Sequence, residues 1–203
     1  MKLRYLIAAV GLIATGTSFG AAGMFNQFLF TTTTGTTPLA FYDIGAATGN
    51  PDFQGSNLGI FTAGTNYFIG GQQRSYKDNG TDVTGHGLSW RVYSGAPSGS
   101  FATVAMPFQF NTGVNNDQQW GGDSQGSNSD PIEISTNILA GLPNGSYTLE
   151  VFSFITTNSV NEIPTVFNNV GGSNYQASFT VIPEPASAVL GILGTLLLLR
   201  RRK

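Results

Sequence analysis

The segment from Leu142 to Val151, Leu-Pro-Asn-Gly-Ser-Tyr-Thr-Leu-Glu-Val, indicates the fold most directly. After the turn-forming pair Asn144-Gly145, apolar side chains occupy every second position from Tyr147 to Val151, and polar side chains lie between them. A period of two is the pattern of a half-buried β-strand, and Asn-Gly is typical of the turn that precedes one. The segment therefore predicts a turn followed by a strand.

The same alternation recurs along the chain. It is clearest over 88–92 and 175–181, and shorter runs at 25–31, 39–44, 67–69, 101–110 and 132–135 are further strand candidates. The chain contains 27 glycines and only 10% charged residues, and segments rich in turn formers separate the runs. Several short strands at this spacing predict an all-β domain, an antiparallel β-sandwich that spans residues 23–181.

The turn before Tyr147 sharpens that prediction. The stretch 142–147 resembles the corner of immunoglobulin-like sandwiches, in which a tyrosine hydroxyl bonds back to upstream backbone. The resemblance implies an immunoglobulin-like or jelly-roll-like sandwich, whereas an ordinary hairpin turn is the alternative. The wider pattern is also similar to lectin-type and adhesin-type modules of bacterial surface proteins, and no activity follows from that similarity.

The C-terminal residues form a second informative block. Pro183-Glu184-Pro185 precedes an uncharged run over 186–199, and the chain ends in Arg200, Arg201, Arg202 and Lys203. As a helix the run would be roughly 21 Å long, and local thinning of the bilayer could match it to a hydrocarbon core of about 30 Å. Cations after an apolar run stay on the cytoplasmic side. We expect a transmembrane helix over 186–199 with a basic stop at 200–203; a buried core helix with a basic tip is the alternative.

This block, residues 182–203, resembles the PEP-CTERM sorting signal of exported proteins in Gram-negative bacteria. The resemblance implies recognition of Pro183, Glu184 and Pro185 by an exosortase, a membrane-bound processing enzyme that cuts near the motif. Many members carry Ser or Thr after the motif, whereas this chain has Ala186. The protein would be the substrate of that enzyme.

The N-terminus is typical of a secretory signal helix. Lys2 and Arg4 precede an apolar run over 6–14, and small residues follow. Cleavage by signal peptidase after Ala22 fits best, cleavage after Gly20 fits nearly as well, and a permanent N-terminal anchor is the alternative. We therefore divide the chain into a signal (1–22), an ectodomain (23–181) and a sorting signal (182–203). The expected location is an inner-membrane-anchored precursor that becomes a cell-surface or extracellular-matrix protein.

The charge of the ectodomain argues against nucleic acid as a partner. Once both ends are set aside, three basic residues (Arg74, Lys77 and Arg91) stand against ten acidic ones, a net charge near −7. Such a surface repels a polyanion. The chain has no cysteine, so disulfides do not stabilise it.

The sequence shows no catalytic motif. His86, between Gly85 and Gly87, is the only histidine, and no nucleophile elbow or zinc signature accompanies it. We interpret His86 as a polar residue of a flexible turn and expect no enzymatic activity. A sandwich-fold hydrolase that uses a carboxylate pair such as Glu133 and Glu150 is the least favoured function.

Two weaker ligand hypotheses rest on polar segments. Oxygen-rich turns could hold a structural Ca²⁺, and the candidate ligands are Asp78, Asp82, Asp117, Asp123 and Asp130. Neither acidic segment matches the EF-hand pattern, and no other cofactor is expected.

A long loop over 115–131 carries the second hypothesis. It presents Trp120 next to Gln119 and Asp123, and an exposed aromatic ring beside polar groups is typical of glycan binding. Alternatively Trp120 packs over the edge of the sandwich. Trp90, in an alternating run, is expected in the core.

Together these features predict an exported structural or adhesive protein associated with extracellular polysaccharide. A glycan-binding module is the alternative function. A loss of glycan affinity in Trp120→Ala would distinguish the two.

Overall fold

The segments that alternate with period two form the central strands of the structure. The computed structural model describes residues 22–36, 38–45, 49–77, 81–112, 117–122, 133–158 and 165–185. Within these residues the strands are β1 (Gly23–Thr32), β2 (Ala40–Asp43), β3 (Asn57–Thr62), β4 (Phe68–Tyr76), β5 (Val83–Tyr93), β6 (Ala102–Met106), β7 (Phe108–Asn111), β8 (Gln118–Gly121), β9 (Gly145–Thr157), β10 (Thr165–Asn168) and β11 (Tyr175–Ile182). A 3₁₀ turn, Val170–Gly172, joins β10 to β11.

The strands form two sheets with the core between them. One sheet has the order β2-β1-β4-β8-β7, and the other has the order β3-β11-β9-β5-β6, with β10 paired to the end of β9. The fully buried Leu29 and Ile69 of the first sheet belong to the same apolar core as Leu88, Leu149 and Phe179 of the second. The all-β prediction is confirmed, and the two-layer arrangement is that of a β-sandwich.

The predicted inner faces are also observed. Tyr175, Ala177, Phe179 and Val181 are all buried, as their alternation with polar residues predicted. Leu88 is buried, and Trp90 and Val92 pack against the core from partly buried positions.

The predicted tyrosine corner is present. The Tyr147 hydroxyl donates a hydrogen bond to the Pro143 carbonyl at 2.7 Å. Its ring stacks on Phe179 of the neighbouring strand, with 5.5 Å between ring centroids and 22° between planes. The hydrogen bond and the stacked rings together fix the turn that leads into β9.

One pairing departs from the expected antiparallel arrangement. The edge strand β3 runs parallel to β11, with Asn57 opposite Ser178 and Thr62 opposite Ile182. Because β3 and β11 are far apart in the sequence, no short hairpin dictates their relative direction.

The run at 101–110 is two strands instead of one. It divides at Pro107 into β6, which belongs to the second sheet, and β7, which belongs to the first. Proline has no N–H to donate to a ladder, so pairing ends there, while the Pro107 carbonyl accepts a hydrogen bond from Gly121 N at 2.8 Å. The break lets the chain cross from one sheet to the other.

The prediction of a long loop over 115–131 is wrong for part of this range, because Gln118–Gly121 forms the strand β8. Strands β3 and β10 were also missed. Strands β8 and β10 have four residues each, too few for an alternating pattern to stand out.

The two predicted membrane-associated helices, within 1–22 and over 186–199, lie outside the described residues except for Ala22. Among the residues that are described, no helix is long and apolar enough to cross a membrane.

Candidate functional site

The tripeptide Pro183-Glu184-Pro185 follows the last strand without a linker. Strand β11 ends at Ile182, whose carbonyl accepts a hydrogen bond from Ala63 N at 2.8 Å. Pro183, Glu184 and Pro185 come next, and all of them are exposed. The Glu184 carboxylate lies beside the backbone of Gly64. The basic residues of the tail, 200–203, are outside the described part of the chain.

Trp120 is a buried strand residue and not an exposed loop residue. It lies in β8 with 7% of its surface exposed, because β8 pairs with β4 on one side and β7 on the other. Its ring contacts His86 at 5.1 Å and Phe108 at 5.3 Å between centroids. It therefore lacks the exposed ring face on which the loop-borne glycan hypothesis depended.

The two polar neighbours expected beside Trp120 do not form a site with it among the described residues. Gln119 is buried, and its Oε1 accepts a long hydrogen bond from Arg74 at 3.5 Å. Asp123 lies outside the described residues.

His86 lies in the core, which corrects the expectation of a flexible turn. It is part of β5, only 5% exposed, and its Nδ1 is 2.8 Å from Gln73 Oε1. Burial lowers the pKa of His86 from 6.5 to about 3, so the ring is neutral at ordinary pH. The sequence did contain a signal for this position. His86 is two residues before Leu88 and four before Trp90, so the alternating pattern places all three on the same face of the strand.

Of the two calcium candidates that are described, the Asp82 carboxylate has other partners. Asp82 forms an ion pair with Lys77 at 2.8 Å and accepts a hydrogen bond from Gln118 Nε2 at 3.4 Å. The backbone carbonyl of Asp117 accepts a hydrogen bond from Thr112 N at 2.7 Å. Within the described ranges no cluster of metal-ligating side chains is present.

The remaining calcium candidates, Asp78, Asp123 and Asp130, lie outside the described residues. The calcium hypothesis therefore stays a prediction.

The outer face of the second sheet carries a charge pair that the sequence did not indicate. Arg91 and Glu150 are directly opposite on β5 and β9. Arg91 Nη2 and Nε donate to Glu150 Oε2 at 2.8 and 3.0 Å, and Asn174 Nδ2 donates to Glu150 Oε1 at 2.5 Å. The Arg91 guanidinium also lies 4.3 Å from the centre of the Phe101 ring. Glu150, one of the two carboxylates in the hydrolase hypothesis, is thus hydrogen-bonded to Arg91 and Asn174.

Aromatic side chains continue across this outer face. Phe101, Phe152, Phe154 and Phe167 contact one another, with centroid distances from 4.9 to 6.4 Å. The angles between their planes range from 46° to 72°, so the rings do not form a flat platform. Phe167 is the most exposed of them at the surface, 53% accessible.

A cleft of about 310 Å³ opens where β1 of the first sheet passes β10 of the second. We call it the edge cleft. The residues that line it include Phe25, Gln27, Tyr76, Phe167 and Asn168. The sequence did not indicate it, because these side chains come from strands that are distant in the chain.

No protein-family model matches the chain, and no curated protein matches it.

Proposed function

We propose that this protein is an exported surface or extracellular-matrix component, sorted through a C-terminal PEP-CTERM signal and associated with extracellular polysaccharide in a structural or adhesive role. On this proposal residues 1–22 are removed by signal peptidase, the helix 186–199 holds the precursor in the inner membrane, and an exosortase-type enzyme processes the tail. We propose no catalytic role.

The observation that carries the proposal is the position of Pro183-Glu184-Pro185. The tripeptide follows the final strand of the fold directly, and all three residues are exposed. An exposed segment outside the strand ladders is accessible to a processing enzyme without unfolding of the domain. Removal of the tail would leave β11 and its pairing with β9 intact, because that ladder ends at Val181.

The architecture suits a structural or binding role. The two-sheet body places its apolar core between the sheets, and the Tyr147 corner supports an immunoglobulin-like or jelly-roll-like sandwich. Within the described residues, the histidine and the Glu150 carboxylate each have structural partners, His86 with Gln73 and Glu150 with Arg91. This arrangement favours a protein that acts through its surface.

Mass spectrometry of the mature C-terminus tests the proposal. The protein is isolated from the membrane and secreted fractions of the native cells, and we expect a chain that ends near Pro183–Pro185 and lacks Arg200–Lys203. Glu184→Gln should slow the processing. Glu133→Gln, which changes an exposed carboxylate elsewhere in the domain, is the matched control and should leave it unchanged.

An intact Lys203 confined to the membrane fraction would contradict exosortase-type processing. In that case the tail would be a plain anchor.

A further inference from the structure

The edge cleft has a floor made of amide side chains whose orientation is fixed. Gln27 Oε1 accepts hydrogen bonds from Ser153 Oγ, at 2.6 Å, and from Asn168 Nδ2. Asn168 Nδ2 also donates to the Ile44 carbonyl at 2.7 Å, and Asn168 Oδ1 accepts from the Tyr175 hydroxyl at 2.6 Å. This network determines which end of the Gln27 amide is oxygen and which is nitrogen.

The Gln27 amide nitrogen takes no part in this hydrogen-bond network. Gln27 is only 3% exposed and lines the cleft. Both acceptor positions of its oxygen are filled, and no described residue accepts a hydrogen bond from its Nε2. This nitrogen is not among the described buried atoms that lack a partner, so it keeps accessible surface, and a ligand atom in the cleft can accept a hydrogen bond from it.

Glycine keeps the floor open. Gly45, another lining residue, has a φ of +78°, a conformation that side chains other than glycine rarely adopt. A Cβ at this position would overlap the Tyr175 hydroxyl and come within 3.2 Å of the Asn168 amide. Burial raises the pKa of Tyr175, which keeps its hydroxyl protonated as the donor to Asn168. Gly45 and Tyr175 are therefore positioning residues for the amide floor.

Aromatic side chains form the walls. Phe25 and Tyr76 lie together on one side, with 6.5 Å between ring centroids. Phe167 of β10 lies on the other side, where its ring also contacts Phe152 and Phe154 of the outer face. Tyr76 and Phe167 are 42% and 53% exposed, so their ring surfaces are available to a ligand. Among the described lining residues none carries a charged side chain.

We propose that the edge cleft binds a neutral carbohydrate, a short segment of one or two sugar units. A sugar ring offers an apolar C–H face to the aromatic walls and hydroxyl oxygens that accept from Gln27 Nε2. The volume is at the lower end of ligand pockets, which span about 300–1,000 Å³. A phosphate or carboxylate ligand would find no described cation in the lining, and a lipid tail would leave the amide nitrogen unpaired.

This inference rests on the proposed association with polysaccharide and names the site and the ligand class. It places binding in β1, β4 and β10, away from the Trp120 region that the sequence indicated.

The test uses saturation-transfer NMR with D-glucose, D-galactose, N-acetyl-D-glucosamine and their β-linked disaccharides, and with D-glucuronate as the charged comparison. The protein is the exported chain purified from native cells without an N-terminal tag, because Ala22 and Gly23 line the cleft. The variants Phe167→Ala and Tyr76→Ala each remove one wall. Phe110→Ala on β7, at the far edge of the first sheet and also 42% exposed, is the matched control.

We expect saturable binding of at least one neutral probe, weakened about two- to tenfold by each wall variant, as for the loss of one aromatic contact. Phe110→Ala should bind as the wild type does, and D-glucuronate should bind more weakly than the neutral probe. Equal urea midpoints in the three variants show that folding is not the cause of any loss.

Absence of saturable binding by every neutral probe would overturn the inference, as would an equal loss in Phe110→Ala or tighter binding of D-glucuronate. The C-terminal mass of the same preparation is measured separately. A processed chain that binds no sugar contradicts the cleft alone, whereas an unprocessed chain that binds sugar contradicts the sorting proposal alone.

Discussion

Replacing Arg91 by methionine tests the energetic role of the charge pair on the outer face of the second sheet. The Glu150 side chain is only 3% exposed and that of Arg91 is 20% exposed, so the pair is largely removed from water. Arg91→Met keeps an unbranched side chain over the Phe101 ring but removes every guanidinium donor to Glu150. The carboxylate would then keep Asn174 as a side-chain donor, with the Tyr93 hydroxyl also beside it.

The expected cost is about 3–5 kcal/mol of unfolding free energy, the range found when one partner of a buried ion pair is removed. Most of that cost is the penalty of a buried charge without its partner, and the attraction lost between the two groups contributes less. The double variant Arg91→Met/Glu150→Leu removes the charge as well, so it should recover to within about 1 kcal/mol of the wild type.

Urea unfolding at pH 7, followed by tryptophan fluorescence, measures these differences. Lys77→Met is the matched control, because the Lys77–Asp82 pair has the same 2.8 Å separation but side chains that are 25% and 48% exposed. A surface pair contributes about 0–1 kcal/mol, so Lys77→Met should cost far less than Arg91→Met.

The reasoning would be refuted if Arg91→Met cost no more than Lys77→Met. It would also fail if the double variant were as unstable as Arg91→Met, because the penalty could not then come from an uncompensated Glu150 charge.

Two further changes probe the corner and the buried histidine. Tyr147→Phe removes the hydrogen bond to Pro143 but leaves the ring on Phe179, so we expect a loss of about 0.5–1.5 kcal/mol in urea unfolding, and an unchanged midpoint would show that the hydroxyl contributes nothing. Because the pKa of His86 falls from 6.5 to about 3 on folding, the unfolded chain binds a proton that the folded chain excludes, and stability should decline as the pH falls from 6.5 towards 3. His86→Gln lacks this contribution, so parallel stability profiles for the two proteins over that pH range would contradict the buried neutral histidine.

The sequence predicted those elements in which local pattern and tertiary environment agree. Strand β11 alternates strictly, and each of its apolar side chains from Tyr175 to Val181 is buried. The corner was predictable because the Tyr147 hydroxyl reaches a carbonyl only four residues upstream, so the turn itself brings the two groups together.

The errors share a physical cause. In β8 the short run Gln118–Gly121 is a strand only because β4 and β7 pair with it on both sides, and this pairing turns Trp120 inward. Phe152 and Phe154 lie on the outer face of β9, where alternation would predict polar residues, because Phe101 and Phe167 pack against them.

What the sequence determined by itself is local: a β-rich body, the corner at Tyr147, and the segments at the two ends that predict export and sorting. The tertiary structure decided which distant side chains meet. Arg91 and Glu150 are 59 positions apart, and Gln27 and Asn168 are 141 apart, yet each pair is in hydrogen-bond contact. Strand register and sheet packing create these contacts. The residue spacing of a single segment predicts neither the register nor the packing, because each depends on which strands become neighbours.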